Sequence, residues 1–205
     1  MTSLQIFDEL LQRYPVLEPC KDDIYNAYKV LKACYEKDGK VLVCGNGGSA
    51  ADADHIVGEL MKGFLLKRKI EKPAANGDDE ILSLLQGALP AISLNAHSAL
   101  LSAFANDLEF DCAYAQQVYG YARENDVLIA LSTSGNSKSV VNAVRAASAA
   151  GIASIGITGS RESAMSEKCT VCIKLPETET FKIQELTLPV YHCLCAMLEA
   201  DFFEG

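Results

Sequence analysis

A short run of mostly hydroxyl-bearing residues, Ser132-Thr133-Ser134-Gly135-Asn136-Ser137, is the stretch of the sequence best suited to binding chemistry. It follows the apolar run 127–131 and precedes an alanine- and valine-rich segment, which predicts a strand, a tight loop and a helix. The first N–H groups of a helix have no partner within the helix, and with neighbouring hydroxyls they bind anions. We therefore predict a phosphate site here; an ordinary N-terminal helix cap is the simpler alternative.

A second loop of the same kind comes earlier in the chain. Gly45-Asn46-Gly47-Gly48-Ser49 follows the apolar run 40–44 and precedes a helical pattern over about 50–64. Two such loops at the carboxyl ends of parallel strands can converge on one crevice. The glycine spacing matches neither the dinucleotide-binding pattern nor a P-loop, so we expect no nucleotide cofactor.

The elements that must position these loops alternate between strands and helices. Strands are predicted at 40–44, 90–94, 127–131, 154–157 and 171–175. Helices are predicted at 3–13, 22–37, 50–64, 110–125, 140–150, 162–167 and 181–203. Residues 65–80 read as a mobile loop, and Asn106-Asp107 as a loop at a strand end.

This order predicts an α/β fold, a three-layer αβα sandwich around a five-stranded parallel sheet of the flavodoxin-like or Rossmann-like kind. We expect one domain over residues 1–205, with N-terminal helices over 1–37 and a C-terminal helix over 181–203.

Composition restricts the partners. The net charge is −9, and no basic block is longer than Lys67-Arg68-Lys69, so we expect no nucleic-acid partner. The sequence has no run of about 18 apolar residues and no basic-then-apolar start, which predicts a cytoplasmic protein without membrane segments. The eight cysteines are expected to be reduced, and a metal or redox role for Cys169 and Cys172 is disfavoured.

Two residues on the predicted helix after the glycine loop could transfer protons. His55 and Glu59 are four apart and therefore share one helix face. Moving a carbonyl between C1 and C2 of a sugar needs a base, together with an acid or a metal that stabilises the enediolate oxygen. Taken singly, Glu59 could be a solvated helix residue, and His192 on the last helix a core histidine.

Taken together, the two loops, His55 with Glu59, and Ile183-Gln184-Glu185 with His192 resemble the sugar isomerase (SIS) domain family, specifically its phosphoheptose isomerases. The resemblance covers roughly residues 20 to 203. It implies an aldose–ketose isomerase that interconverts sedoheptulose 7-phosphate and D-glycero-D-manno-heptose 7-phosphate. It also implies a homotetramer with active sites at subunit interfaces.

The resemblance implies a role for each matched position. Glu59 would be the catalytic base and His192 the catalytic acid. The substrate would be bound by Asn46, Gly47, Gly48, Ser49, Asn106, Asp107, Ser132, Thr133, Ser134, Ser137 and Gln184. A zinc ion, known in some members, would be bound by His55, Glu59, Gln184 and His192. Gln184 and His192 lie roughly 12 Å apart along a straight helix, so either a kink at Pro189 or two different chains would bring them to one ion, and we favour different chains.

The sequence departs from the family in three places. Gly63 and Phe181 stand where the family has an arginine and an aspartate, and Lys62 could replace that arginine. The segment between Glu59 and Asn106 is about twenty residues longer than usual. The alternatives are a non-catalytic SIS tetramer that binds a replication initiator and a sugar-phosphate-binding module. Such scaffolds lack the catalytic glutamate, so Glu59 favours the isomerase.

Overall fold

A five-stranded parallel sheet forms the middle layer of the fold, as predicted. The computed structural model describes residues 1–70, 75, 77 and 79–203. The strands are β1 (Val41–Cys44), β2 (Ala91–Ser93), β3 (Val127–Leu131), β4 (Ala153–Thr158) and β5 (Val171–Lys174). Their order is β2-β1-β3-β4-β5, and every neighbouring pair is parallel. The order reverses between β1 and β3, which opens a crevice at the carboxyl edge of the sheet.

Helices cover both faces of the sheet. They are α1 (Ser3–Arg13), α2 (Lys21–Glu36), α3 (Gly48–Met61), α4 (Asp79–Ser83), α5 (Ser98–Asp107), α6 (Ala113–Tyr121), α7 (Lys138–Ala149), α8 (Ala164–Lys168) and α9 (Thr180–Phe202). Short 3₁₀ turns occupy Pro15–Cys20 and Phe110–Cys112. One apolar core joins α1, α2, α3 and α9 to one face of the sheet, and a second joins α6 and α7 to the other. Because both faces are covered, β1 and β3 are buried along their whole length, which explains their uninterrupted apolar sequences.

The last helix lies between other helices rather than on the surface. α9 packs against α1, α2 and α3, and it buries residues along most of its length. It continues through Pro189, although a proline removes one backbone hydrogen bond from a helix interior. No helix of the described chain is long and apolar enough to cross a membrane.

A buried ion pair fixes the chain where it leaves α3. The Glu199 carboxylate accepts hydrogen bonds from the backbone N–H groups of Phe64, Leu65 and Leu66, at 2.7 to 3.1 Å. It also accepts one from Nε of Arg68 at 2.7 Å, and the Arg68 side chain is completely buried. Leaving either charge buried without its partner would cost free energy, so the pair strongly favours this one path of the chain over residues 64–68.

The predicted loop at Asn106 and Asp107 is wrong, because these residues form the end of α5. Residues 98–105 are mostly alanine and leucine, which are strong helix formers, and they extend the helix to Asp107. The predicted helix 110–125 is also shorter than expected, since a 3₁₀ turn precedes α6. In the predicted loop 65–80, residues 79 and 80 begin α4, whereas 71–74, 76 and 78 lie outside the described residues.

Candidate active site

The two polar loops meet at the crevice between β1 and β3. The Asn46 side-chain amide donates to the hydroxyl oxygens of Ser137 at 2.8 Å and Ser139 at 2.9 Å. The hydroxyl of Tyr114 donates to the backbone oxygen of Gly45 at 2.8 Å and supports the same loop from α6. The loop after β1 is therefore tied directly to the loop after β3.

The loop after β3 leaves polar groups open to a ligand. Ser132 is buried, whereas Ser134 and Asn136 are exposed. Ser137 precedes α7, but its hydroxyl makes no capping bond to that helix and contacts Asn46 instead. Ser137 therefore stands at the N-cap position of α7 without capping the helix through its hydroxyl. The first N–H groups of a helix that no side chain caps can bind an anion.

Two glycines of these loops lie close against neighbouring side chains. Gly135 has φ of +65°, and a Cβ there would lie 2.1 Å from the hydroxyl oxygen of Ser163. A Cβ on Gly48 would lie 2.6 Å from Nε2 of Gln184. The absence of a side chain at position 48 thus lets Gln184 of α9 lie against the first turn of α3, next to the buried Ser49.

The pocket beside the loop after β3 includes residues that the sequence did not predict. A cavity of about 270 Å³ is lined by Thr133, Ser134 and Asn136, together with the residues that follow β4. Those residues include Ser160 and Arg161, and Arg161 is exposed. Their position at the carboxyl end of a strand is the signal that could have identified them, because ligands bind at that edge.

The glycine loop is fixed by an asparagine that the sequence reading also missed. Asn95, just after β2, donates to the backbone oxygen of Gly45 at 2.7 Å and accepts from its N–H at 3.3 Å. Asn106 and Asp107 were predicted to bind the sugar, but among the described hydrogen bonds their side chains bond only to each other, at 2.8 Å. The strand-end asparagine is thus Asn95.

Three of the predicted chemical groups meet where α3 packs against α9. Nε2 of His55 lies 3.0 Å from Oε1 of Glu59 and 3.5 Å from Nε2 of His192. The other carboxylate oxygen of Glu59 accepts a hydrogen bond from Nζ of Lys62 at 3.1 Å. Residues 55 and 59 share one face of α3, as their spacing predicts.

The charges of this cluster perturb two pKa values. Burial alone would raise the pKa of Glu59, but the hydrogen bond and charge of Lys62, together with His55, hold it below its usual value. Burial and the neighbouring His55 lower the pKa of His192, although Glu59 opposes the change. Near neutral pH, Glu59 is therefore a carboxylate and His192 is mainly a neutral imidazole.

The residues of one chain do not form the predicted zinc site. His55 and Glu59 are hydrogen-bonded to each other, whereas Gln184 lies against Gly48 at the start of α3. In the part of the chain that the structure describes, no group of three or more His, Cys, Asp and Glu side chains could hold a metal ion.

Comparison with known proteins agrees with this architecture. The SIS domain family model matches residues 7–159. The chain therefore belongs to the SIS domain family.

Relatives within that family include phosphoheptose isomerases. One from Rhodospirillum rubrum is 39% identical over 183 residues, which cover 89% of this chain and 88% of the relative. One from Halorhodospira halophila is 33% identical, with 98% and 94% covered. The solved phosphoheptose isomerase from Neisseria gonorrhoeae superposes with a TM-score of 0.74 at 30% identity, with 94% of each chain covered.

Proposed function

We propose that this chain is an aldose–ketose isomerase that interconverts sedoheptulose 7-phosphate and D-glycero-D-manno-heptose 7-phosphate. The observation that carries the proposal is the contact of His192 on α9 with His55 and of His55 with Glu59, on the helix that begins at the glycine loop. A base, an imidazole and an anion-binding loop are the groups that this reaction needs.

The substrate phosphate is held by the loop after β3. Ser132, Thr133, Ser134 and Ser137 surround the N-terminus of α7, which supplies backbone N–H groups. Asn46, Gly47, Gly48, Ser49 and Gln184 line the path toward the reacting carbons. Asn106 and Asp107 are kept as proposed sugar contacts from the family resemblance alone.

Glu59 takes the proton from C2 of the aldose, and the electron pair moves to give an enediolate with the charge on O1. His192 donates its N–H proton to O1, the same Glu59 returns a proton to C1, and His192 takes the proton from O2 as the carbonyl forms at C2 of the ketose. The mechanism needs Glu59 as a carboxylate, and its lowered pKa supports that state at neutral pH. A neutral His192 can donate its N–H to the developing oxyanion.

We also propose that the protein is cytoplasmic and forms a homotetramer with its active sites at subunit interfaces. A cavity of about 320 Å³ between α1 and α9 includes His192 and the exposed apolar residues Leu65 and Leu188. Exposed apolar surface beside a catalytic residue supports a partner chain there. A zinc ion bound by His55, Glu59, Gln184 and His192 remains a prediction of the family resemblance, and no step above passes through it.

The alternatives are less well supported. A non-catalytic scaffold does not need a carboxylate that Lys62 and His55 hold in place. The relatives from Rhodospirillum rubrum and Halorhodospira halophila are also named as isomerases. A sugar-phosphate-binding module would need the loops but not the cluster between α3 and α9.

The test is solvent exchange at carbon. The purified protein is incubated in D₂O with a panel of ketose phosphates of five to eight carbons, and each sugar is examined by NMR. We expect deuterium at C1 of the ketose and at C2 of the aldose product, fastest for the seven-carbon substrate. A protein that exchanges deuterium into no sugar on the panel would contradict the isomerase and favour the scaffold.

A further inference from the structure

The loop after β4, residues 159–162, forms one wall of the 270 Å³ cavity beside the loop after β3. The two loops are hydrogen-bonded to each other. The N–H of Gly159 donates to the backbone oxygen of Thr133 at 3.0 Å, and the N–H of Ala164 donates to the side-chain oxygen of Asn136 at 3.0 Å. Because one bond lies at each end of the loop after β4, this loop is fixed against the proposed anion-binding loop.

Arg161 lies in the middle of this loop and lines the cavity. The residue before it, Ser160, is held by a hydrogen bond from its N–H to the backbone oxygen of Glu177 at 2.9 Å. Arg161 is exposed, and within the chain as far as the structure describes it, its guanidinium has no hydrogen-bond or ion-pair partner. The backbone is thus held in place, while five N–H donors of a permanently charged group remain available to a ligand.

The neighbouring acidic residue does not neutralise this charge. Both carboxylate oxygens of Glu162 have other partners, since one accepts from Nζ of Lys174 at 2.7 Å and the other from the hydroxyl of Ser166 at 3.0 Å. Glu177 is the second acidic residue that lines the cavity, and no hydrogen bond or ion pair joins its side chain to Arg161. Among the described residues that line the cavity, Arg161 is the one with a positive charge.

We propose that Arg161 completes the phosphate site: its guanidinium binds the phosphate together with Ser134 and the first N–H groups of α7, and it makes the protein select phosphorylated over neutral sugars. The proposal deepens the proposed function and rests on its phosphate site. A phosphate monoester carries about −1.5 to −2 charges at pH 7, whereas hydroxyls and backbone N–H groups are neutral donors. The planar guanidinium supplies the missing charge, and its paired N–H groups match two phosphate oxygens.

The variant that tests this is Arg161→Met, which removes the charge and keeps an extended side chain. Calorimetric titration with inorganic phosphate should give a Kd about 10- to 100-fold higher than that of the wild type, because hydrogen bonds to a charged donor are the strong ones. Arg145→Met is the matched control. Arg145 is also exposed, but it bonds to Asn142 on α7 outside the cavity, so this variant should keep the wild-type Kd. Each substitution lowers the net charge of −9 by one.

A second measurement tests the selection of phosphorylated sugars. In Arg161→Met, KM for sedoheptulose 7-phosphate should rise by a similar factor and kcat should change less, because the phosphate is bound equally in the ground state and the transition state. Binding of unphosphorylated sedoheptulose should be unchanged. The Tm of the free variant should equal that of the wild type, since the described chain loses no hydrogen bond or ion pair.

Three results would overturn the role of Arg161: an Arg161→Met protein that binds inorganic phosphate as tightly as the wild type, an equal loss of affinity in Arg145→Met, or a wild type that binds neither inorganic phosphate nor sedoheptulose 7-phosphate. The second would assign the effect to net charge alone. A wild type that exchanges no deuterium into any sugar, but binds phosphate more tightly than Arg161→Met does, would refute the isomerase and leave the phosphate site supported.

Discussion

The guanidinium of Arg68 bonds to the backbone oxygen of Glu59, with Nη2 2.9 Å from it, while its Nε bonds to the buried carboxylate of Glu199. The proposed base is therefore held at its side chain by His55 and Lys62 and at its backbone by Arg68. Since carbonyl groups in the last turn of a helix lack partners within the helix, Arg68 also completes the end of α3.

Glu199→Gln should destabilise the protein strongly. The variant keeps the size of the side chain but leaves the Arg68 charge buried without its counterion, which costs about 3–5 kcal/mol. Urea unfolding at a fixed protein concentration measures the loss. Lys182→Met is the control, because its pair with Glu179 is solvent-exposed and is worth about 1 kcal/mol or less. Equal losses in the two variants would contradict the importance of the buried pair.

Glu59→Gln should remove catalysis and keep binding. The amide retains the shape of the carboxylate but is not a base, so kcat should fall by about 10²–10⁴-fold, with the fold and KM little changed. Steady-state kinetics and a binding titration with the ketose phosphate measure both quantities. Glu36→Gln at the exposed end of α2 should behave as wild type. A fully active Glu59→Gln protein would move the role of base to another residue.

Ser134→Ala should weaken phosphate binding. The exposed Ser134 hydroxyl lines the cavity beside α7, so its loss should raise KM several-fold and change kcat less, as expected when a group binds the ground state and the transition state equally. Ser148→Ala, at the exposed far end of α7, serves as the control. The assignment fails if phosphorylated and unphosphorylated sugars bind the wild type equally well.

Lys62→Met should shift the pH dependence of the reaction. Lys62 lowers the pKa of Glu59, whereas burial raises it, so removing Lys62 should raise that pKa. Because only the carboxylate accepts the substrate proton, the acidic limb of kcat/KM should move to higher pH. A pH–rate profile of this variant beside Lys138→Met, whose pair with Asp111 is exposed and 3.9 Å long, measures the shift. An unshifted limb would show that Lys62 does not tune Glu59.

The oligomeric state is a further expectation. Light scattering at micromolar concentration should give four times the mass of the chain, and Leu188→Glu in the apolar cavity beside His192 should reduce it. Asp8→Lys on the outer side of α1 changes charge without entering that cavity and should leave the mass unchanged. A monomeric wild type would contradict the proposal of active sites at subunit interfaces.

The sequence alone was sufficient to predict the five-stranded sheet and the convergence of the two polar loops at its edge. Val127–Leu131 is an uninterrupted apolar run that ends at a glycine-containing loop, and a strand buried on both faces has this pattern. His55 and Glu59 were placed on one helix face by their spacing alone. These features depend on local periodicity, which a sequence displays directly.

The remaining features depend on contacts between distant residues. Arg68 belongs to a basic triplet that reads as solvent-exposed, yet its partner Glu199 lies on the last helix. The same is true of Asn95 and Gly45, and of Tyr191 and His55. Asn106 was misplaced because residues 81–103 carry both strand and helix signals, and α5 buries none of its own residues.

The contacts of Arg68 also bring together two distant points of the chain. Its backbone oxygen accepts from the N–H of Gly87 at 2.7 Å, and the side chain of Gln86 accepts from the N–H of Gly63 at 2.8 Å. These two bonds hold residues 68 and 87 close together, which fixes the end separation that any replacement of the chain between them must span. Because closure entropy changes slowly with loop length, we expect that the chain between them can be shortened, lengthened or exchanged for a reporter peptide while Arg68 still bonds to Glu59.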